Sequence, residues 1–167
     1  MKEKLARSVA EFRLPRYREI PDMGLYLEQV ARYIGEVLAP LGEYTLTPSM
    51  ISNYVKKGLV TRPVKKLYSR DQIAYLFFIA VAKSVLSLDA IVTFIAVQQH
   101  SYTLPVAYDY FAEELENLLL YTFGLKDRPD EVGVEHTDEK HLLYTCILAA
   151  VRKAYLEKCL KAIANEN

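Results

Sequence analysis

Residues 45–91 read TLTPSMISNYVKKGLVTRPVKKLYSRDQIAYLFFIAVAKSVLSLDAI, and the fold is predicted mainly from this stretch. Thr47 and Pro48 indicate a helix start, because a threonine side chain accepts an early backbone hydrogen bond and proline is tolerated at the first helical position. Gly58 indicates the end of that helix, since glycine adopts positive φ without strain. The pattern therefore predicts a helix of about three turns.

A second helix is predicted shortly after the first. Residues 59–68 have an extended character, and Pro63 excludes a central strand but allows an edge strand or a small wing. Ser69 and Gln72 form a capping box ahead of an apolar pattern with helical spacing. This order of elements is typical of a winged helix-turn-helix.

Most of the remaining chain is predicted to be helical. Residues 1–21 are expected to form a charged, extended arm, and Asp22 is expected to cap a helix over 23–39 whose buried side includes Tyr26. Ser87 is expected to cap a helix ending near His100. A helix from about Thr103 to Gly124, a loop over 126–137 and a helix over 141–164 complete the chain. The predicted domains are 1–21, 22–100 and 101–167.

The expected fold class is all-α, with a winged helix-turn-helix that has a minimal wing and a C-terminal helical lobe. The last helix is apolar on more than one side, so it must bury more than one face. It lies at the centre of the lobe or pairs with its copy in a second subunit. A homodimer is therefore expected, because helix-turn-helix proteins usually read two half-sites.

Positive charge is concentrated in the central stretch. The chain has 21 Lys and Arg residues and 21 Asp and Glu residues, yet the segment 45–70 contains six cations and no acid. Such segregation favours a surface for a polyanion. The simpler alternative is a solvated loop and helix end, in which Lys56 and Lys57 complement the helix dipole.

Two family resemblances are carried by these residues. MISNYVKKGLV at 50–60 and KKLYSRDQIAYLFFI at 65–79 resemble the MerR-type winged helix, with matching positions at Tyr54, Gly58, Leu59, Tyr68, Ser69, Ile73, Leu76 and Ile79. Residues 14–30 together with 46–60 are similar to an uncharacterised bacterial family, a domain of unknown function whose members are regarded as transcription factors. The resemblance implies a sequence-specific transcriptional regulator that binds double-stranded DNA.

Candidate DNA-binding residues follow from the way such a helix enters the major groove. Its N-terminal half would face the bases, and the cations would contact phosphates. Among the base-facing residues Asn53 is the strongest candidate, because its amide can pair bidentately with adenine. The full set is Ser49, Ser52, Asn53, Lys56, Lys57, Arg62, Lys65, Lys66 and Arg70.

An alternative function is a protein-interaction adaptor that keeps the winged-helix scaffold without DNA binding. The MerR pattern usually has an arginine and an aromatic residue where this chain has Ser52 and Asn53. The usual phosphate contacts from that helix are therefore missing.

Tyrosines are frequent in the second lobe, where Tyr102, Tyr108, Tyr110 and Tyr121 cluster. By resemblance to regulator effector lobes, their phenol groups would line a pocket for a small-molecule effector. Core packing with the hydroxyls at the surface is the preferred interpretation.

Other chemistry has little support in the sequence. The chain has no nucleotide-binding or nucleophile motif, and its histidines lack metal-ligand spacing, so no enzyme activity, metal or cofactor is expected. No signal peptide or membrane span is predicted. Cys146 and Cys159 lie about 20 Å apart in one predicted helix, so no disulfide between them is expected. Both are expected to be buried thiols of ordinary acidity, and the alternative is redox sensing through a bond between subunits. Unpaired cysteines favour a cytoplasmic location.

Overall fold

The computed structural model describes residues 1–133 and 135–165, so one position of the predicted loop and the last two positions of the predicted lobe lie outside the described residues. The described part contains seven α-helices and one small sheet, which confirms the predicted all-α class with a minimal wing. The helices are α1 Lys2–Val9, α2 Leu27–Leu38, α3 Pro48–Lys56, α4 Arg70–Ala82, α5 Leu88–Ser101, α6 Leu104–Thr122 and α7 Asp138–Asn165, and the strands are β1 Leu25–Tyr26 and β2 Leu67–Tyr68.

Side-chain caps begin three of these helices where the sequence predicts them. The Thr47 hydroxyl accepts a hydrogen bond from the Met50 backbone N–H at 3.1 Å. The Ser69 backbone N–H donates to Gln72 Oε1 at 2.8 Å, which forms the predicted capping box of α4. Ser87 Oγ accepts from the Ala90 N–H at 3.2 Å. Because each cap satisfies an early helical donor, the starts of α3, α4 and α5 are confirmed.

The α4 helix lies at the centre of the core and is buried on nearly all sides. Phe77 has no exposed surface, and its ring lies 5.5 Å from that of Tyr33 in α2. The neighbouring Phe78 packs against Phe111 of α6, with ring centroids 5.6 Å apart. The apolar run therefore belongs to a buried helix, as predicted. No helix in the described part of the chain has the length and apolar character needed to cross a membrane.

The prediction of an extended N-terminal arm is wrong. Residues 2–9 form α1, which buries Leu5 and Val9, and farther along Leu14 and Ile20 are completely buried. Leu5 and Val9 are four residues apart, so one helical turn places both on the same face despite the charged residues between them. We call residues 14–22 the strap, because this segment lies across α4 and α6.

Polar contacts hold the strap in place. The Tyr17 backbone N–H donates to Asp109 Oδ1 at 2.7 Å, and the Tyr108 hydroxyl donates to the Pro15 carbonyl at 2.8 Å. The guanidinium of Arg16 lies 2.6 Å from the Glu116 carboxylate. Because Asp109, Tyr108 and Glu116 all belong to α6, the strap connects the N-terminal segment to the C-terminal lobe.

The predicted start of α2 is also wrong. The helix begins at Leu27 rather than Met23, because Leu25 and Tyr26 are drawn into a strand that pairs antiparallel with Leu67–Tyr68. Asp22 therefore caps no helix, and the Tyr26 backbone N–H donates to Gln29 Oε1 at 2.9 Å instead. Tyr26 lies on the exposed side, with 54% of its surface accessible, and not on the buried side as expected.

The last helix buries one face and exposes another. It begins at Asp138, three residues before the predicted start, and the residues that it buries are Cys146, Ile147, Ala150, Val151 and Ala154. Leu142, Leu156 and Leu160 are about half exposed, so burial of a second face is not complete within this chain.

The two cysteines lie in the one helix, as predicted, but their environments differ. Burial raises the pKa of the Cys146 thiol to about 11, so the expectation of ordinary acidity is wrong for this residue. Cys159 is half-buried rather than buried.

Glu114 is a buried acid that helps to fix the loop between α6 and α7. Only 2% of its surface is exposed, and its Oε1 accepts a hydrogen bond from Asn117 Nδ2 at 3.1 Å. The same amide group donates to the Asp130 carbonyl at 2.9 Å, while the Asp130 N–H donates to Asn117 Oδ1 at 2.8 Å. Burial raises the pKa of Glu114, because a charged carboxylate loses its hydration there.

We expect Glu114→Gln to stabilise the protein increasingly as the pH rises from acid to neutral. The Glu114 pKa is raised in the folded state, so its contribution to stability is fully present below the unfolded value of about 4.3 and is lost as the pH rises through the folded pKa. Glutamine keeps the oxygen that accepts from Asn117 and removes the charge. Urea unfolding of both proteins at several pH values measures the difference.

Glu113→Gln provides the matched control, because Glu113 is exposed on the same helix. This control removes an equal charge at the surface. A stability difference between the Glu114→Gln variant and the original protein that does not change with pH would contradict the prediction.

Candidate nucleic-acid interface

The α3 helix presents one polar face to solvent. Ile51 and Tyr54 are buried, whereas Ser49, Asn53 and Lys56 are exposed. The exposed residues are spaced by four and three positions, so they lie on one side of the helix. Ser52 is half-buried at the edge of this face. The face therefore combines short polar side chains near the helix start with a cation near its end.

The chain leaves α3 through a glycine turn and re-enters the core at once. Gly58 has φ +77°, and the Leu59 N–H donates to the Tyr54 carbonyl at 2.9 Å. Leu59 and Val60 are buried, while Lys57 beside the turn remains exposed. The helix end is therefore anchored, which fixes where the next segment begins.

The next segment is the wing, residues 61–68. Val64 and Leu67 form an antiparallel bridge in which the Leu67 N–H donates to the Val64 carbonyl at 2.9 Å. Leu67 and Tyr68 then pair with Tyr26 and Leu25 in the two-stranded sheet. Lys65 and Lys66 occupy the two-residue turn and are exposed to solvent. The predicted wing is thus a short hairpin with two lysines at its tip.

The side chain of Gln72 fixes the wing to the first turn of α4. Its amide nitrogen donates to the carbonyl of Thr61 at 2.9 Å and to the carbonyl of Arg62 at 3.0 Å. Gln72 is only 6% exposed, so these bonds are shielded from water. An unpaired buried donor or acceptor is costly, and both wing carbonyls would lose their partner without this side chain.

Both lysines at the wing tip have left-handed backbone conformations. Lys65 has φ 51° and Lys66 has φ 65°. Two consecutive residues with positive φ are typical of a type I′ hairpin turn, for which Asn-Gly is the preferred sequence. Lysine carries a Cβ that disfavours this conformation. The turn is therefore strained by the residue types that occupy it.

Arg70 does not belong to the exposed set, and its predicted phosphate contact is replaced by contacts within the protein. Its Nε donates to the Ile20 carbonyl at 2.8 Å, and its terminal nitrogen donates to the Arg18 carbonyl at 3.1 Å. The guanidinium also lies 5.5 Å from the Tyr17 ring centroid and 3.6 Å from Asp22. We therefore assign Arg70 to holding the strap.

The other predicted cations are exposed and unpaired. Within the described residues, no ion pair involves the following five side chains: Lys56, Lys57, Arg62, Lys65 and Lys66. Two acids near Arg70 in the structure have other partners, since Asp22 lies beside Arg70 and Asp71 accepts a hydrogen bond from the Tyr17 hydroxyl. The charge of these five cations is thus available to a partner.

Some residues of this surface were not anticipated from the sequence. Gln72 was predicted only as a capping residue, because nothing in the local pattern shows that its amide donates to a segment ten residues earlier. Tyr26 was predicted to be buried, yet 54% of its surface is exposed. Met50 and Val64, for which the sequence predicted no particular exposure, expose 38% and 74% of their surfaces. No group of three or more potential metal ligands occurs among the residues described by the structure.

The fold defines the chain as an all-α protein with one small two-stranded sheet at the wing. It belongs to the family described as a domain of unknown function, DUF1836, whose model matches residues 15–111. The match begins in the strap and ends within α6, and it covers more than half of the 167 residues. No curated protein and no solved structure matches the chain.

We expect the double substitution Lys65→Asn with Lys66→Gly to stabilise the fold by about 1 kcal/mol, because both new residues tolerate positive φ better than lysine. Urea unfolding measures the gain. The matched control is Lys65→Gln with Lys66→Gln, which removes the same charges and keeps the backbone strain. If the control is stabilised as much as the Asn-Gly variant, charge repulsion rather than strain explains the effect.

Proposed function

We propose that this protein is a sequence-specific transcriptional regulator that binds double-stranded DNA through α3 and the wing. The observation that carries the proposal is the presence of an exposed polar face on α3 together with a cationic hairpin that Gln72 fixes to the core. Ser49 and Asn53 are exposed on α3, and the wing that bears Lys65 and Lys66 is fixed by the buried Gln72. A MerR-like arrangement of these elements is part of the proposal.

The exposed face of α3 suits the major groove. A single α-helix fits into this groove, where its N-terminal half meets the base edges. Asn53 is the residue whose amide can donate to and accept from adenine at the same time. Ser49 and the half-buried Ser52 lie beside it at shorter reach. Sequence preference would therefore depend mainly on Asn53.

The cations would set affinity rather than sequence preference. Lys56 and Lys57 extend the helix end, and Arg62, Lys65 and Lys66 follow on the wing. Each neutralised phosphate releases condensed counterions, so binding should weaken steeply as the salt concentration rises. The strained lysine turn supports this role, because strain that persists at a surface turn is often retained for function.

We further propose a homodimer formed through α7. This helix has 28 residues, so it is about 42 Å long. Leu142, Ala149 and Leu156 are exposed and spaced by seven residues, and Leu160 lies one turn after Leu156. Helices that pair in a left-handed supercoil carry apolar residues at two positions of each heptad, and this helix supplies one of them throughout and the second at Leu160. Two copies of α3 could then read two half-sites.

The two unpaired thiols favour a cytoplasmic location for this regulator.

A protein-interaction adaptor remains the alternative, and exposed apolar side chains on the same module favour it. Tyr26 and Val64 lie on the paired strands and the wing, and Met50 lies on α3. Exposed apolar side chains that form a contiguous patch often mark a protein-binding site. Ser52 also lacks the positive charge that the MerR pattern has at its position.

We expect the triple substitution of Arg62, Lys65 and Lys66 to Glu to abolish measurable DNA binding at moderate salt, because three phosphate contacts become repulsive. Fluorescence anisotropy with a mixed-sequence duplex over a salt series measures the effect. Single substitutions to Ala should each lower the slope of log affinity against log salt by about one unit.

Asn53→Ala should instead cost about 1–3 kcal/mol on the preferred site alone, once selection from random duplexes has identified it.

The matched control for the charge reversal is the substitution of Lys2, Lys4 and Arg7 to Glu. These residues are exposed on α1, so the change in net charge is identical but lies outside the proposed interface. Equal loss of binding in both triple variants would indicate a general charge effect. Unchanged binding in the wing variant would overturn the proposed function in favour of the adaptor.

We expect light scattering at micromolar concentration to show twice the chain mass of 19.1 kDa. Leu156→Glu with Leu160→Glu should give a monomer, because two charges on the paired face oppose helix association. Met23→Glu is the control, since Met23 is 81% exposed on a different surface. A monomeric original protein would contradict the dimer, and a dimeric double variant would exclude this face as its interface.

A further inference from the structure

An apolar cavity of about 80 Å³ lies between α4, α5, α6 and α7. Aromatic rings form much of its wall, with Phe78 lying 5.3 Å from Phe94 and 5.6 Å from Phe111 between ring centroids. Protein interiors leave few voids larger than a water molecule, and one water needs only about 10–15 Å³ by this kind of measure. The cavity is therefore too large for a minor packing defect and too apolar to hold water well.

Three polar side chains of the wall are already engaged in hydrogen bonds within the protein. The Tyr75 hydroxyl donates to Gln98 Oε1 at 3.0 Å, and Gln98 Nε2 donates to the Tyr102 carbonyl at 2.8 Å. The Tyr108 hydroxyl is bonded to the Pro15 carbonyl of the strap. A molecule inside the cavity would meet mainly carbon atoms, so the interior selects for shape and apolar character.

Lys140 supplies a positive charge at the edge of this cavity. The residue is half-buried, and its Nζ lies 5.1 Å from the ring centroid of Tyr110 and 5.9 Å from that of Tyr102. No ion pair of Lys140 occurs in the described residues. The carboxylate of the adjacent Glu139 has other partners than Lys140. It accepts hydrogen bonds at the start of α7 and from Ser101 and Thr137, and these bonds lower the pKa of Glu139.

These features relate to both interpretations of the tyrosine cluster. Tyr102, Tyr108 and Tyr110 line the cavity, whereas Tyr121 does not. Tyr108 is buried and serves core packing as well, while Tyr102 and Tyr110 hold the Lys140 ammonium over their rings. The cluster therefore contributes to a pocket as well as to the core.

We propose that this cavity binds a small organic monoanion, with an aromatic or short aliphatic body among the phenylalanine rings and a carboxylate against Lys140. The apolar wall accommodates the body, and the unpaired ammonium accommodates the charge. An ammonium partly shielded by two rings attracts a carboxylate more strongly than one in open water.

The position of the cavity gives such a ligand a regulatory effect. Its walls come from α4 and α5 on one side and from α6 and α7 on the other, so a bound molecule contacts both the winged module and the lobe that carries the proposed dimer face. A ligand shifts a protein between two conformations only by binding one of them better. This regulatory effect rests on the proposed DNA-binding function, whereas the binding of the monoanion does not.

The test uses three probes that share one body and differ in their head groups: phenylbutyrate, phenylbutanol and phenylbutylamine. Titration calorimetry with the whole protein and no DNA measures each affinity. We expect the acid to bind at least about fivefold more tightly than the alcohol, with the amine weakest, which is the order for a partly exposed charge pair. Equal affinity for all three, or no binding, would overturn the proposal.

Lys140→Met keeps most of the apolar stem and removes the charge. We expect it to abolish the preference for acid over alcohol and to leave the affinity for the alcohol unchanged. Lys153→Met is the matched control, because Lys153 lies on the same helix and outside the cavity lining. A retained acid preference in the Lys140→Met variant would show that the charge is bound elsewhere.

Ala107→Leu places extra methyl groups in the cavity, and we expect it to abolish binding of all three probes. Leu143→Phe is a second variant that fills the space from α7 if the first one does not fold. Binding that persists in a folded filled variant would overturn the location. Because these measurements contain no DNA, probe binding without any DNA binding would retain the pocket and reject only the proposed function.

Discussion

The hydrogen bonds of the Gln72 side chain connect the central helix of the fold to the surface that we propose binds DNA. The oxygen of this side chain caps α4, and its nitrogen donates to two carbonyls of the wing. The α2, α6 and α7 helices all pack against α4. The wing is therefore attached to the core of the protein rather than to a flexible loop. A short hairpin alone would be marginally stable in water, so this attachment is what gives the two lysines a fixed position.

The strap has a comparable role, and it too is bonded to the first turn of α4. Arg70 binds the carbonyls of Ile20 and Arg18, and the same segment contacts Asp109 and Tyr108 of α6. The charge pattern of the sequence predicts Arg70 as a DNA contact, but in the structure Arg70 holds the strap instead. The strap also places the first sheet strand beside the wing. Module and lobe are consequently joined by the N-terminal segment as well as by the chain between α5 and α6.

The cavity between α4, α5, α6 and α7 lies at that junction. A filled core would be more stable, because apolar voids forfeit packing contacts. The lysine turn of the wing carries a similar cost, since Asn-Gly would adopt the same backbone with less strain. Stability is therefore forgone at both sites to which we assign binding, although the buried Glu114 carboxyl carries a cost of its own. Trade-offs of this kind between stability and function are common in natural proteins.

The sequence by itself determined the helices whose signals are local. The side chains that cap α3, α4 and α5 are Thr47, Ser69 and Ser87, and each contacts the first turn of its own helix. The buried face of α3 follows from apolar residues three positions apart. Residues a few positions away are therefore enough to predict these features. Tertiary structure decided the features that join distant segments. Leu25 and Tyr26 became a strand because β2 was beside them, Arg70 turned inward because the strap offered carbonyls, and the cavity arose where four helices meet. Such contacts link positions tens of residues apart, so no local pattern records them. Tertiary structure also decided which apolar side chains are buried. The hydrophobic effect depends on which groups the folded chain brings into contact, and not on the order of residues along the chain.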